Sequence, residues 1–127
     1  MSVKIVKREV TLAELKSIEP SLNKLIQMQL PIKISYRLAK VLKKISQELV
    51  TLEETRHMLV KKYGELNEET QQIVVPNDKT QDFVDEMQII LDEIYELEFI
   101  PMDIEEMGNV TLSPSDVVNL ELFFEDQ

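Results

Sequence analysis

Hydrophobic side chains recur along residues 38–63 at alternating intervals of four and three positions, the heptad spacing of a helix that packs along one seam. The seam consists of Leu38, Leu42, Ile45, Leu49, Leu52, Arg56, Leu59 and Tyr63, with Arg56 as its one polar member. Pro31 suits the first turn of a helix, and Gly64 suits its end. The pattern therefore predicts one uninterrupted helix over residues 32–63, about 48 Å long.

A second amphipathic segment, residues 80–97, repeats the four-three spacing and predicts a helix of about 27 Å. Its seam residues are Phe83, Met87, Ile90, Ile94 and Leu97. Because a helix of about 27 Å cannot cover a seam of about 48 Å, another element must cover the remainder. We expect a helix over residues 11–28 to do so, unless a second molecule supplies the cover.

The predicted helix over residues 11–28 begins with a capping box. The Thr11 hydroxyl can accept a hydrogen bond from a backbone N–H of the first turn, and the Glu14 side chain can reach back to the cap. Pro20 lacks an N–H and its ring crowds the preceding turn. We therefore expect a kink or a break near residues 18–19.

Shorter segments complete the prediction. Loose alternation over residues 1–10 indicates a strand, and residues 73–75 indicate a short strand in a connecting loop. Residues 98–112 indicate extended chain with strands, and Ser113 caps a short helix over residues 114–124. The predicted fold is α+β, mainly α, and a single domain over residues 1–127. It has a long central helix with two shorter antiparallel helices and a small β element.

Composition excludes several classes of protein. The chain is 43% hydrophobic, which is enough for a packed core and argues against wholesale disorder. It has no Cys, so disulfides, thiolate metal sites and cysteine nucleophiles are excluded. The sequence has no run of about 18 apolar residues to span a membrane and no apolar segment near Met1 typical of a secretory signal.

Charge is distributed unevenly between the two halves of the chain. Residues 1–64 carry a net charge of +7, and residues 65–127 carry −17. On the long helix, cations at positions away from the seam form a basic stripe: Lys33, Arg37, Lys40, Lys43 and Lys44. In the second half, carboxylates form a predicted acidic face: Asp82, Asp85, Asp92, Glu93 and Glu96. Such surfaces are usually solvated, but two of opposite sign can steer association.

The sequence predicts no catalytic residue, no metal site and no cofactor. Glu54 and His57 have the spacing of half a di-metal motif, but the motif needs a second His and the chain has one. The only glycines are Gly64 and Gly108, so no Gly-rich phosphate loop is present. Carboxylates are too numerous for any pair to indicate an acid and base couple.

Nucleic acid is an unfavourable partner for the chain as a whole. A basic helical stripe could contact phosphates, but the net charge is −10 and the pI is about 4.6. The reverse interpretation also has to be considered. Carboxylates along the acidic face could imitate a phosphate backbone and block a nucleic-acid-binding protein.

Three segments resemble a family of short, acidic bacteriophage proteins of uncharacterised function. They are residues 30–40 (LPIKISYRLAK), 59–65 (LVKKYGE) and 110–121 (VTLSPSDVVNLE). These motifs are structural: a helix start, a helix end and a capped terminal helix. The resemblance implies a phage origin, a location in the host cytoplasm or the virion, and a small accessory role.

The sequence therefore predicts a non-enzymatic protein that acts by protein–protein binding, in virion assembly or structure. The basic stripe would meet an acidic surface of a phage protein, a host protein or another copy of the chain. The alternative is an acidic inhibitor of a host defence or nucleic-acid-handling protein, which would use the acidic face.

Overall fold

The computed structural model describes residues 4–108 and 110–124, and its dominant element is one long helix. In chain order the elements are β1 (Val6–Thr11), α1 (Leu12–Ile26), α2 (Ile32–Tyr63), β2 (Glu65–Asn67), β3 (Gln72–Val74), α3 (Asn77–Leu91), β4 (Ile94–Phe99) and α4 (Pro114–Leu120). Short 3-10 helices cover Ile104–Met107 and Glu121–Phe123. The fold is mainly helical with a small antiparallel sheet, and α2 has the bounds that the heptad predicted.

The capping box at the start of α1 is confirmed. The Glu14 N–H donates to the Thr11 hydroxyl, and the Thr11 N–H donates to the Glu14 carboxylate. Of the kink or break predicted near residues 18–19, the break is wrong, because α1 continues through Pro20 to Ile26. Pro20 deprives the Lys16 carbonyl of its donor, and both residues are exposed, so water can satisfy that carbonyl.

Two helices share the seam of α2. Each of α1 and α3 has 15 residues, about 22 Å, so neither alone covers the roughly 48 Å of α2. The Ser46 hydroxyl donates to Glu19 of α1, and Lys62 contacts Glu86 of α3, so the two helices pack on different parts of α2. The deepest seam residues, Leu38, Ile45 and Leu52, belong to one hydrophobic cluster that includes α1, α3 and β4.

Helix α3 is shorter than the heptad predicted. It ends at Leu91, and β4 pairs antiparallel with β1 in a register that runs from Val6 opposite Phe99 to Thr11 opposite Ile94. The prediction of helix to residue 97 is wrong: Leu97 fits the helical spacing but lies on the buried face of β4, and Ile94 is exposed at the start of that strand. Hydrogen bonds to β1, more than 80 positions away in sequence, decide between helix and strand.

Strands β2 and β3 form a hairpin at the end of α2; the sequence predicted one strand here, over residues 73–75, and β2 and the pairing were not predicted. Gly64 does not end α2 in a left-handed conformation, since its φ is −86°. Its missing side chain serves close packing instead: a Cβ there would collide with the Val60 carbonyl oxygen and the Ile73 side chain. The hairpin is therefore seated tightly against the last turn of α2.

The segment after β4 differs from its prediction. No strand forms at the described residues 110 to 112, and α4 ends at Leu120 before a 3-10 turn. Instead, Met102 makes an isolated bridge with Phe124, and the Phe99 and Phe123 rings meet edge to face at 4.9 Å. The predicted strand over residues 1–10 is observed from Val6, and its residues 1–3 lie outside the described part.

A buried polar network attaches α4 to α1. The Asp116 carboxylate accepts hydrogen bonds from the Ser21 hydroxyl at 2.7 Å, the Ser113 hydroxyl at 2.9 Å and the Lys24 ammonium at 3.3 Å. These donors, the Ser21 hydroxyl first, hold the pKa of Asp116 below its usual value. Asn119 donates in turn to the Ser21 hydroxyl, so the network satisfies its own buried groups.

Asp116→Asn is expected to lower the free energy of unfolding at pH 7. A carboxylate whose folded pKa is depressed stabilises the fold above its unfolded pKa of about 3.9, and this contribution disappears as pH falls through the folded value. The difference in the free energy of unfolding between wild type and variant, measured by urea denaturation, should therefore become smaller below about pH 4. Asp82→Asn, on the exposed side of α3, is the control and should show no such narrowing. A constant difference down to pH 2 would contradict this account.

Gly64→Ala is expected to destabilise the protein by about 1–3 kcal/mol, the usual effect of forcing a methyl group into a filled space. Chemical denaturation measures the loss, and NMR amide shifts of Leu66 and Ile73 should report displacement of the hairpin. Gly108→Ala is the comparison, because Gly108 has a φ of 75° with open space around it. It should strain its own turn and leave the hairpin shifts unchanged.

Candidate functional site

The basic stripe lies along the first half of α2 and faces away from the hydrophobic seam. Lys33, Lys40, Lys43 and Lys44 are exposed, and Arg37 is half-buried. Among the described residues, no carboxylate lies within 4 Å of any of these five cations. Their charges are therefore available to another molecule as far as the described chain is concerned.

Three stripe residues line a half-open cleft of about 190 Å³, here called the stripe cleft. The α2 residues that line it are Tyr36, Arg37, Lys40, Val41 and Lys44. The remaining lining residues, from the β1–β4 sheet and the chain beside it, are Ile5, Glu98, Phe99 and Ile100. The cleft thus combines an apolar floor with cations at its rim.

Sheet pairing and helix periodicity together build this cleft. Lys40 and Lys44 lie one turn apart on α2, with Val41 buried beside them. The pairing of Val6 with Phe99 brings Ile5 and Ile100, 95 positions apart in sequence, to the same end of the sheet. The floor includes the buried Phe99 ring, which packs edge to face against Phe123.

Electrostatics at the cleft are positive. The one lining carboxylate, Glu98, is outnumbered by the lining cations Arg37, Lys40 and Lys44, and the Lys7 ammonium lies 3.4 Å from Glu98 and 3.6 Å from Glu96. The hydrogen bond from Lys7 to Glu98, with the charge of Glu96, raises the pKa of Lys7. The Lys40 ammonium lies 5.5 Å from the centre of the exposed Tyr36 ring, within cation–π range.

The acidic face is not one helical surface, which corrects the sequence prediction. Asp82 and Asp85 are exposed on α3, but Asp92 and Glu93 lie in the turn after it. Glu96 lies on β4, close to Lys7. The face is divided because α3 ends at Leu91, so the helical spacing used to group these five carboxylates stops halfway.

Arg56, the polar member of the seam, lies where α1 and α3 approach each other over α2. It lines a second cleft, of about 370 Å³, together with Lys16 of α1 and Met87 of α3. Its guanidinium lies 2.7 Å from Glu53, whose pKa is lowered by that hydrogen bond. A polar residue fits this seam position because the short helices leave it partly open to water.

The sole histidine faces solvent. His57 Nε2 lies 3.4 Å from Glu53, one turn back on α2, and Glu54 is exposed beside it. Among the apolar residues away from the seams, Val50, Met58 and Ile89 are exposed.

Sequence reasoning found the cations but missed the apolar floor. Tyr36 stood next to Arg37 as an off-seam aromatic, which was an available signal. Ile5 and Ile100 gave no such signal, because only the β1–β4 pairing brings them to α2.

Comparison with protein-family models, with curated proteins and with solved structures found no match. Within the described residues, every helix is too short or too polar to cross a lipid bilayer.

Replacing Lys40 and Lys43 together by Glu is expected to change the free energy of unfolding by less than about 1 kcal/mol. Neither ammonium has a carboxylate partner in the described chain, and the exposed Tyr36 contact contributes little. Urea denaturation measures the change, with Leu38→Ala on the opposite face of α2 expected to lose about 2–5 kcal/mol. If the double variant lost more than about 2 kcal/mol of unfolding free energy, the stripe cations would be needed for the stability of the fold, which would contradict a role in binding.

Proposed function

We propose that this protein acts without catalysis, by binding the acidic surface of a protein partner through the basic stripe. The observation that carries the proposal is the combination of cations and apolar floor in the stripe cleft. Exposed ion pairs alone contribute little to affinity, whereas apolar area removed from water contributes with each Å² buried. A site with both can hold a partner and also orient it.

We propose that α2 is a continuous rod and that α1 and α3 lie antiparallel to it. For α1, Glu19 contacts Ser46 of α2, and Lys16 lies near Glu53 of α2. The earlier residue of α1 thus lies beside the later residue of α2, which supports an antiparallel arrangement of the two helices. For α3, the supporting pairs are Lys79 with Glu65 and Glu86 with Lys62. A rod supported along its length keeps the stripe cations at fixed spacing, which lowers the ordering entropy lost on binding.

We further propose that the partner is a component of a bacteriophage particle or of its assembly, in the host cytoplasm or the virion. The support is the resemblance of three segments to short, acidic phage proteins. A small protein with a rigid binding surface suits an accessory role in assembly.

The alternative, an acidic inhibitor of a nucleic-acid-handling protein, retains the support of Asp82 and Asp85, which are exposed on α3. It has less support than stripe binding, because the acidic face is divided among three elements and Glu96 is already beside Lys7. A phosphate backbone presents charge at regular spacing, and this face does not.

Affinity capture from phage-infected cells tests the proposal. The wild-type chain should retain identified virion or assembly proteins, and retention should fall as salt rises from about 0.05 M to about 0.5 M. The variant with Lys40→Glu and Lys43→Glu should lose that retention by about tenfold and depend less on salt. Mass spectrometry identifies and quantifies the retained proteins.

The matched control carries Arg8→Glu and Lys16→Glu, which change net charge equally at exposed positions outside the stripe. It should retain the partner. Equal loss in both variants would reject the stripe as the binding surface. Retention of a host nucleic-acid enzyme that DNA displaces, and that Asp82→Lys with Asp85→Lys abolishes, would favour the inhibitor.

A further inference from the structure

The hairpin at the far end of α2 exposes apolar side chains that its own chain covers only in part. Leu66 and Ile73 are cross-strand partners, and they are 60% and 43% exposed. Val74 beside them is 50% exposed. Cross-strand apolar pairs normally stabilise a sheet by packing against something, so this pair offers a contact surface.

The turn of the same hairpin is acidic. Glu68 and Glu69 are exposed, and among the described residues no cation lies within 4 Å of either carboxylate. The hairpin therefore presents two carboxylates without a neighbouring cation next to an apolar pair. The carboxylates complement the cations at the rim of the stripe cleft, and the apolar pair complements its apolar floor.

Hydrogen bonds to Asn67 stabilise the conformation of the turn. The Asn67 side chain accepts hydrogen bonds from the Glu69 and Thr70 N–H groups, and its carbonyl accepts one from Gln71 at 2.8 Å. Gln71 has a φ of 59°, a left-handed conformation that a residue with a side chain adopts at some energetic disadvantage. A turn fixed in this way loses little conformational entropy on docking.

Within one molecule the hairpin cannot reach the stripe cleft. Lys40 and Gly64 are separated by 24 positions on one continuous helix, about 36 Å along its axis. The close packing of Ile73 against Gly64 keeps the hairpin at that end. The two complementary surfaces can meet only between molecules.

We propose that the hairpin of a second copy of this chain docks in the stripe cleft, which rests on the proposed function and makes this chain itself one partner of the cleft. The cleft volume of about 190 Å³ suits one branched aliphatic side chain, since a cavity of about 150 Å³ admits benzene. Leu66 enters the cleft and Ile73 covers its edge. The two turn carboxylates then lie opposite Lys40 and Lys44 of the receiving copy.

The contact is head to tail, because it joins different surfaces of the two copies. After the first contact, one copy still has an unused cleft and the other an unused hairpin. Association therefore continues into chains or closed rings instead of stopping at a dimer. The small area implies weak association that depends on concentration.

Sedimentation equilibrium on the full chain tests this assembly. The average mass of the wild type should rise beyond that of a dimer between about 10 μM and about 1 mM. Lys40→Glu with Lys44→Glu should weaken association at least tenfold. The matched control, Lys33→Glu with Lys43→Glu, makes the same charge change on stripe residues that do not line the cleft, and it should weaken association less.

The hairpin variant, Glu68→Lys with Glu69→Lys, separates docking from general repulsion. It reduces the net negative charge, so relief of repulsion alone would strengthen association, whereas loss of docking weakens it. Combining these changes with Lys40→Glu and Lys44→Glu restores the original net charge and the complementarity, so the fourfold variant should associate again. Circular dichroism of each variant establishes that it is folded.

A wild type that stays monomeric over this range overturns the inference, as does a hairpin variant that associates as strongly as wild type or more strongly. Loss of association in the cleft variant alone would assign the cleft another occupant and also overturn it. Failure here differs from failure of the proposed function, which the capture experiment judges separately through proteins other than this chain.

Discussion

A helix of 32 residues with an apolar seam along its length has to be covered from end to end, and this requirement organises the molecule. Two helices of 15 residues supply most of that length. Where they approach each other, the seam has Arg56 paired with Glu53. The cover lies on one side of α2, so the other side is left to the basic stripe.

The sequence predicted α2 and the α1 cap well because both depend on neighbours within a turn or two. Residues 38–63 repeat a local spacing, and the reciprocal bonds of Thr11 and Glu14 span three positions. The end of α3 could not be predicted in the same way. Leu97 satisfies the helical spacing and also lies on the buried face of β4, whereas Ile94 is exposed on the other face, and pairing with β1 decides the outcome.

The candidate site also contains some residues that follow from local sequence spacing and others that depend on long-range pairing. The stripe cations follow from helical periodicity alone, so they could be found in the sequence. The apolar floor depends on Ile5 and Ile100, which the sheet brings beside α2 from distant parts of the chain. The five carboxylates of the acidic face were wrongly grouped for the same reason, because the prediction required helical periodicity to continue past Leu91.

The link between Ser21 and Asp116 joins positions 95 apart, and β1 pairs with a strand more than 80 positions later. During synthesis, α1 and β1 emerge from the ribosome long before either partner exists. Until then the Ser21 hydroxyl lacks its carboxylate and the edge of β1 is open. Completion of the native structure therefore waits for residues 94–116, and the nascent chain leaves this apolar surface exposed until they emerge.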